Sequence, residues 1–158
     1  MKPEDHRSYD RGNEFETYVT RMFPPDRFEL TYRTVTDREA GGEFVKGMEY
    51  PDLRLTEISS GRRFWVECKY RASTRTDGGV AWCDEHQIET YRRIGSESGI
   101  PVFVMIGVGG RPDNPFRIYC VNLAHLKFTV VPGSRLVACR IHLKKVDNLR
   151  QLEFIASQ

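Results

Sequence analysis

Asp52, Glu67 and Lys69 are the residues whose types and spacing could do chemistry together. They fall within residues 50–70, YPDLRLTEISSGRRFWVECKY, which reads as a β-hairpin with Ile58-Ser59-Ser60-Gly61 as its turn. On the first arm Leu53 and Leu55 share one face, and Asp52, Arg54 and Thr56 share the other. On the second arm Phe64, Val66 and Cys68 oppose Trp65, Glu67 and Lys69. The register that matches the apolar faces sets Leu53 opposite Val66, Leu55 opposite Phe64, and therefore Asp52 opposite Glu67. A slip of one residue would put leucines against charges. Like charges directly opposite destabilise a sheet. A divalent cation shared by the two carboxylates would resolve the conflict, and hard oxygen ligands suit Mg2+ or Mn2+.

Pro51-Asp52, a gap of fourteen residues, and Glu67-Cys68-Lys69 resemble the signature of the PD-(D/E)XK nucleases, the restriction-endonuclease-like superfamily. The resemblance implies a metal-dependent phosphodiesterase cleaving DNA, duplex or branched, in restriction, repair or junction processing. It assigns Asp52, Glu67 and the backbone carbonyl of Cys68 to the metal. Lys69 would orient the attacking water, act as its base, or stabilise the phosphorane charge. A carboxylate pair raises the proton affinity of a lysine, which favours the electrostatic role over the base. The rival readings are a catalytically silent nucleic-acid-binding or structural subunit with the same fold, and an RNA-directed nuclease. No run of closely spaced aromatics marks a stacking platform for single strands.

Two helices must flank that hairpin. The first is expected from about Asp10 or Asn13 to Phe23, where Phe15, Tyr18, Val19, Met22 and Phe23 form an apolar stripe and Pro24-Pro25 ends it. Glu16 lies at the edge of this stripe. In the superfamily the first helix often carries an acid that completes the metal site, and Phe15-Glu16 resembles that pattern, with Glu14 on the other margin as its competitor. The second helix starts at Asp84 as N-cap, carries Ile88, Tyr91 and Ile94, and stops at Gly99 and Pro101. Gln87 and Tyr91 resemble a QxxxY pattern that places a glutamine against the active site in some branches. Asp84-x-x-Gln87 is equally a capping box, and one side chain serves one role at a time.

The remaining strands follow from local pattern. Residues 27–34 read as a strand with Phe28, Leu30 and Tyr32 on one face, and residues 101–106 as a strand buried on both faces. Gly107-Val108-Gly109-Gly110 is a turn and not a phosphate loop, because Pro112 and Pro115 follow where a lysine and a helix would stand. Residues 116–121 make the next strand, and Val137, Cys139, Ile141 and Leu143 alternate as another. Asp147 caps a final helix with Leu149 and Leu152. Residues 36–49 and 72–81 read as loops beside the site, with Arg38 and Lys46 in the first as phosphate-contact candidates. The fold class is α/β, a restriction-endonuclease-like mixed β-sheet flanked by helices. A single domain over 1–158 has its core at about 10–121 and a C-terminal extension at 122–158.

With 24 Lys and Arg against 22 Asp and Glu, the 158-residue chain has no global polyelectrolyte character. Between Arg54 and Arg75, however, six basic residues face two acidic ones, a local field suited to phosphate. Four cysteines without CxxC spacing read as reduced thiols of a cytoplasmic protein. No hydrophobic run spans a membrane, and the start does not read as a signal peptide. At this size, cutting a duplex calls for a homodimer with one site per strand, or a larger nuclease complex.

Overall fold

The computed structural model describes residues 3–34 and 50–158. The two candidate phosphate contacts, Arg38 and Lys46, lie outside them. Helix α1 (Pro3–Arg21) precedes strand β1 (Phe28–Arg33) and the hairpin β2 (Leu53–Glu57) and β3 (Arg63–Arg71). Next come β4 (Val80–Ala81), α2 (Glu85–Ser98), β5 (Val102–Arg111) and β6 (Asn114–Asn122). The chain ends with β7 (Val130–Val131), α3 (Gly133–Ala138), β8 (Arg140–Ile141) and α4 (Leu149–Ala156). The main sheet has the order β1-β2-β3-β5-β6-β8, and β4 pairs with β7 in a small second sheet.

Among the described residues, β3 and β5 are the one parallel pair of the main sheet, with α2 as their crossover. The result is the mixed α/β sheet flanked by helices that the pattern predicts. One face packs Phe64, Val66 and Cys68 against Phe15, Val19 and Met22 of α1 and Leu149 and Leu152 of α4. The other packs Trp65, Val104 and Ile106 against Ile88 and Tyr91 of α2 and Leu136 of α3. The hairpin register is the expected one, with Leu53 opposite Val66 and Leu55 opposite Phe64. Glu57 N–H donates to Arg62 O across the turn, and Gly61 adopts φ 70° there.

Several boundaries differ from the sequence reading. Helix α1 starts at Pro3, earlier than Asp10. Strand β1 carries a bulge, because Leu30 pairs with Leu55 while Tyr32 pairs with Arg54. The extra residue, Thr31, flips the alternation. Phe28 stays on the α1 face, whereas Tyr32 packs with Trp65 on the α2 face. Strand β5 runs through the glycines expected to form a turn. Gly107 lies under Phe15, where a Cβ would come within 2.5 Å of the ring, so helix packing explains that glycine. The expected strand at 137–143 is replaced by α3 and the short β8. Val137 stands 78% exposed on α3, so the apparent alternation began on a solvent-facing residue.

The C-terminal extension joins the same architecture: β8 extends the main sheet, and α4 covers its α1 face. Asn148, and not Asp147, caps α4 by accepting from Gln151 N–H. Asp147 pairs instead with Arg27 at 2.7 Å. Buried Glu57 accepts from Leu149 N–H at 2.8 Å and fixes α4 to the hairpin turn. The four cysteines are free. Among the described residues no helix is long and apolar enough to cross a membrane.

Candidate active site

The expected pairing of Asp52 with Glu67 is built by main-chain hydrogen bonds at the open end of the hairpin. Glu67 Oε2 accepts from Asp52 N–H at 3.3 Å. Asp52 Oδ2 accepts from Cys68 N–H at 2.8 Å. Lys69 Nζ lies 2.8 Å from Glu67 Oε1, with the glutamate side chain only 2% exposed. All three predicted residues therefore meet on the α2 face of the sheet, as a period of two requires.

The electrostatics record a crowded negative site. Burial, then Glu67 and Glu16, hold the Asp52 carboxyl well above the usual carboxylate range. The Cys68 thiol is raised by burial and by Asp52, Glu16 and Glu67. At Lys69, burial works against the charge, but the attraction and hydrogen bond of Glu67 outweigh it and leave the ammonium above its ordinary value. That direction is the one a neighbouring carboxylate imposes on a lysine.

Tyr91 of α2 joins the Glu67 carboxylate. Its hydroxyl bonds the Glu67 carboxylate, and burial followed by the charges of Glu67 and Asp52 keeps it protonated. The sequence pattern gives Tyr91 both as an apolar stripe residue and as the tyrosine of the QxxxY spacing, and the second is the signal for this contact. Gln87 goes elsewhere. Its side chain accepts from Asp84 N–H at 3.4 Å, and Asp84 accepts from Gln87 N–H at 2.8 Å, which closes the capping box of α2.

Glu16 is buried on α1, and its charge reaches Asp52. Arg33 Nε binds Glu16 Oε1 at 2.6 Å, while Arg33 Nη2 donates to Asn13 and Thr17. Sequence pattern missed Arg33, because only the bulge at Thr31 turns it toward α1. Glu14, the competing acid, is exposed. The expected basic field is largely engaged within the chain. Arg62 pairs with Glu153 and Arg75 with Asp77, Arg71 donates to Ala81 O, and Arg54 lies over the Trp65 ring.

The donor set fits a hard divalent cation in a definite way. Two carboxylates with raised mutual repulsion, Asp52 and Glu67, offer oxygen only. No group of three His, Cys, Asp or Glu side chains among the described residues converges as a metal cage. Mg2+ typically takes one or two carboxylates and retains several waters, which two acids and a main-chain carbonyl suit. The Cys68 thiol packs in the α1-side core, so Cys68 could contribute only its carbonyl.

No protein-family model matches this chain. No curated protein matches it either. Among solved structures, the chain is similar to Hjc, a Holliday junction resolvase from Archaeoglobus fulgidus, an archaeal hyperthermophile. The two are 12% identical with a TM-score of 0.48, over 70% of this chain and 78% of that one.

Proposed function

We propose that this chain is a metal-dependent phosphodiesterase of the PD-(D/E)XK type that cleaves DNA. The observation that carries the reading is the Asp52–Glu67–Lys69 group at the open end of the β2–β3 hairpin. Asp52 and Glu67 would hold Mg2+ or Mn2+ together with the carbonyl of Cys68, and Glu16 would act through a water while Arg33 fixes it. The bound cation would lower the pKa of a coordinated water and offset charge on the phosphoryl group.

The chain's own residues supply the rest. Lys69, charged and next to Glu67, stabilises the extra negative charge that develops at phosphorus and orients the attacking water. Its raised proton affinity argues against a role as free base. Tyr91 holds the Glu67 carboxylate by its hydroxyl and limits water on the α2 side. Gln87 supports this arrangement by starting α2 at the right place.

The substrate is duplex or branched DNA, and two copies of the chain would cut two strands. The test is cleavage of single-stranded, duplex and branched DNA, and of RNA, in Mg2+, Mn2+ or EDTA, with Lys69→Ala beside wild type. Metal-dependent cutting of DNA that Lys69→Ala loses supports the reading. Preferred cutting of RNA would replace the substrate. Metal-dependent binding of DNA without cutting would move the chain to a silent subunit.

A further inference from the structure

Aromatic residues scattered in sequence meet beside the carboxylates. Tyr32 of β1, Tyr50 ahead of β2 and Trp65 of β3 have ring centroids 6.0, 5.5 and 5.5 Å apart, each touching the other two. Tyr50 lies nearly parallel to Trp65, with 13° between planes, and Arg54 sits 5.3 Å from the Trp65 ring centre. Trp65 is two residues from Glu67 on the same face, and Arg54 is opposite Trp65 and two residues from Asp52. Two residues along a strand is about 7 Å, so the rings adjoin the carboxylate pair.

Tyr50 is the outermost ring. One side rests on Trp65, and the residue is 44% exposed. Buried Pro51 follows it and confines its backbone to extended conformations, which holds the ring in place before any ligand arrives. Trp65 is 4% exposed, and its Nε1 is buried without a hydrogen-bond partner, an uncommon cost in a packed face. Ordinary core aromatics in this chain behave differently: Phe23, Phe28 and Phe64 touch one another and are all nearly fully buried. Phe116, Phe128 and Phe154 are more exposed than Tyr50, but none of them stacks on another ring among the described residues.

A half-open aromatic face backed by Trp65, whose ring also carries a guanidinium, matches the flat π-surface of a nucleobase. We propose that Tyr50 is a base-stacking platform, which receives a nucleobase that has left its own stack beside the phosphate that a cation on Asp52 and Glu67 would hold. This rests on the nuclease reading and deepens it. The substrate must present an unpaired base next to the scissile bond, as a single strand, a branch point or a locally opened duplex does. An intact duplex has to be opened there first.

The experiment uses full-length chain carrying Lys69→Ala, in Mg2+, with oligonucleotides that place 2-aminopurine at successive positions of a single strand and of a branched DNA. Stacking on Tyr50 predicts quenching at one position. Tyr50→Ala should weaken binding about ten-fold and abolish the quench. Tyr50→Phe should retain both. Tyr50→Leu keeps an apolar cover over Trp65 without a π-face, and should behave like Tyr50→Ala at an unchanged melting temperature. Equal affinity and quench in Tyr50→Ala would overturn the platform and leave the nuclease reading standing. Full binding by Tyr50→Leu would also overturn it, because bulk alone would then explain the site. Failure of the Lys69→Ala parent to bind any nucleic acid would overturn both readings.

Discussion

Asp52 and Glu67 fix each other through crossed main-chain hydrogen bonds: Asp52 N–H donates to Glu67 at 3.3 Å, and Asp52 itself accepts from Cys68 N–H at 2.8 Å. The backbone of each arm thus grips the acid at or beside the partner position on the other arm. The two carboxylates are held side by side although they repel. Lys69 is the positive charge that makes this tolerable without metal.

The Asp52 carboxyl is held above its ordinary range by burial, Glu67 and Glu16. The folded chain therefore binds this proton more tightly than the unfolded one. The associated stability is present below the ordinary carboxylate value of ~4 and is lost as pH rises through the higher folded value. Glu57 has the opposite sign. The Ser60 hydroxyl and Leu149 N–H lower it, so its contribution is present above the ordinary range and lost as pH falls through the folded value. In EDTA, Asp52→Asn should melt above wild type at pH 7, and the difference should shrink as pH falls. Melting curves across pH check this.

Metal should reverse that penalty. At about 100 times its Kd, a ligand specific to the folded state adds about 2.7 kcal/mol. For a chain of this length that raises the melting temperature by about 5–10 °C. Mg2+ titrated against EDTA-treated protein should produce such a rise in wild type and little in Asp52→Asn. A rise of equal size in both would place the ion elsewhere.

Arg33 and Glu16 can be separated from the pair by substitution. Arg33→Met removes the partner of a buried acid, at a cost of about 1–2 kcal/mol once the partial exposure of Arg33 is allowed for. Glu16→Gln should weaken the Mg2+ response if Glu16 serves the ion through water. A change in stability with no change in the Mg2+ midpoint would confine Glu16 to its role with Arg33. Urea unfolding with and without Mg2+ measures both.

Helix α2 offers a paired comparison. Tyr91→Phe removes the hydroxyl that holds Glu67 and should lower the cleavage rate about ten-fold with the fold intact. Gln87→Ala breaks the capping box and should cost about 1 kcal/mol of stability, readable as a lower melting temperature. A rate loss from Gln87→Ala larger than that from Tyr91→Phe would reverse the assignment of the two residues.

What the sequence made legible was local. Leu53, Leu55, Phe64 and Val66 fix one register, and that register alone brings Asp52 to Glu67. The Asp84–Gln87 box was readable for the same reason, since both partners lie within one helical turn. Local pattern failed at the start of α1, at 137–143 and at the Asp147 cap, and the other losses were contacts between distant segments. Nothing near Thr31 announces a bulge, yet the bulge decides that Arg33 meets Glu16 and that Tyr32 meets Trp65. Gly107 reads as a turn until Phe15 of α1 is laid over it. In the Tyr32–Tyr50–Trp65 cluster, Tyr50 and Trp65 come from opposite sides of the hairpin and Tyr32 from β1 beyond a bulge, so alternation along one strand does not reveal it.

The proposed activity turns on a cation shared by Asp52 and Glu67, and the most direct measurement is the initial rate of DNA cleavage against Mg2+ concentration for wild type, Asp52→Asn and Lys69→Ala. A shared cation predicts a saturable Mg2+ dependence in wild type and its loss in Asp52→Asn. Lys69→Ala should lower the plateau by at least about a hundred-fold without shifting the midpoint greatly. Cleavage that persists in EDTA, or an Asp52→Asn curve that overlays wild type, would contradict it.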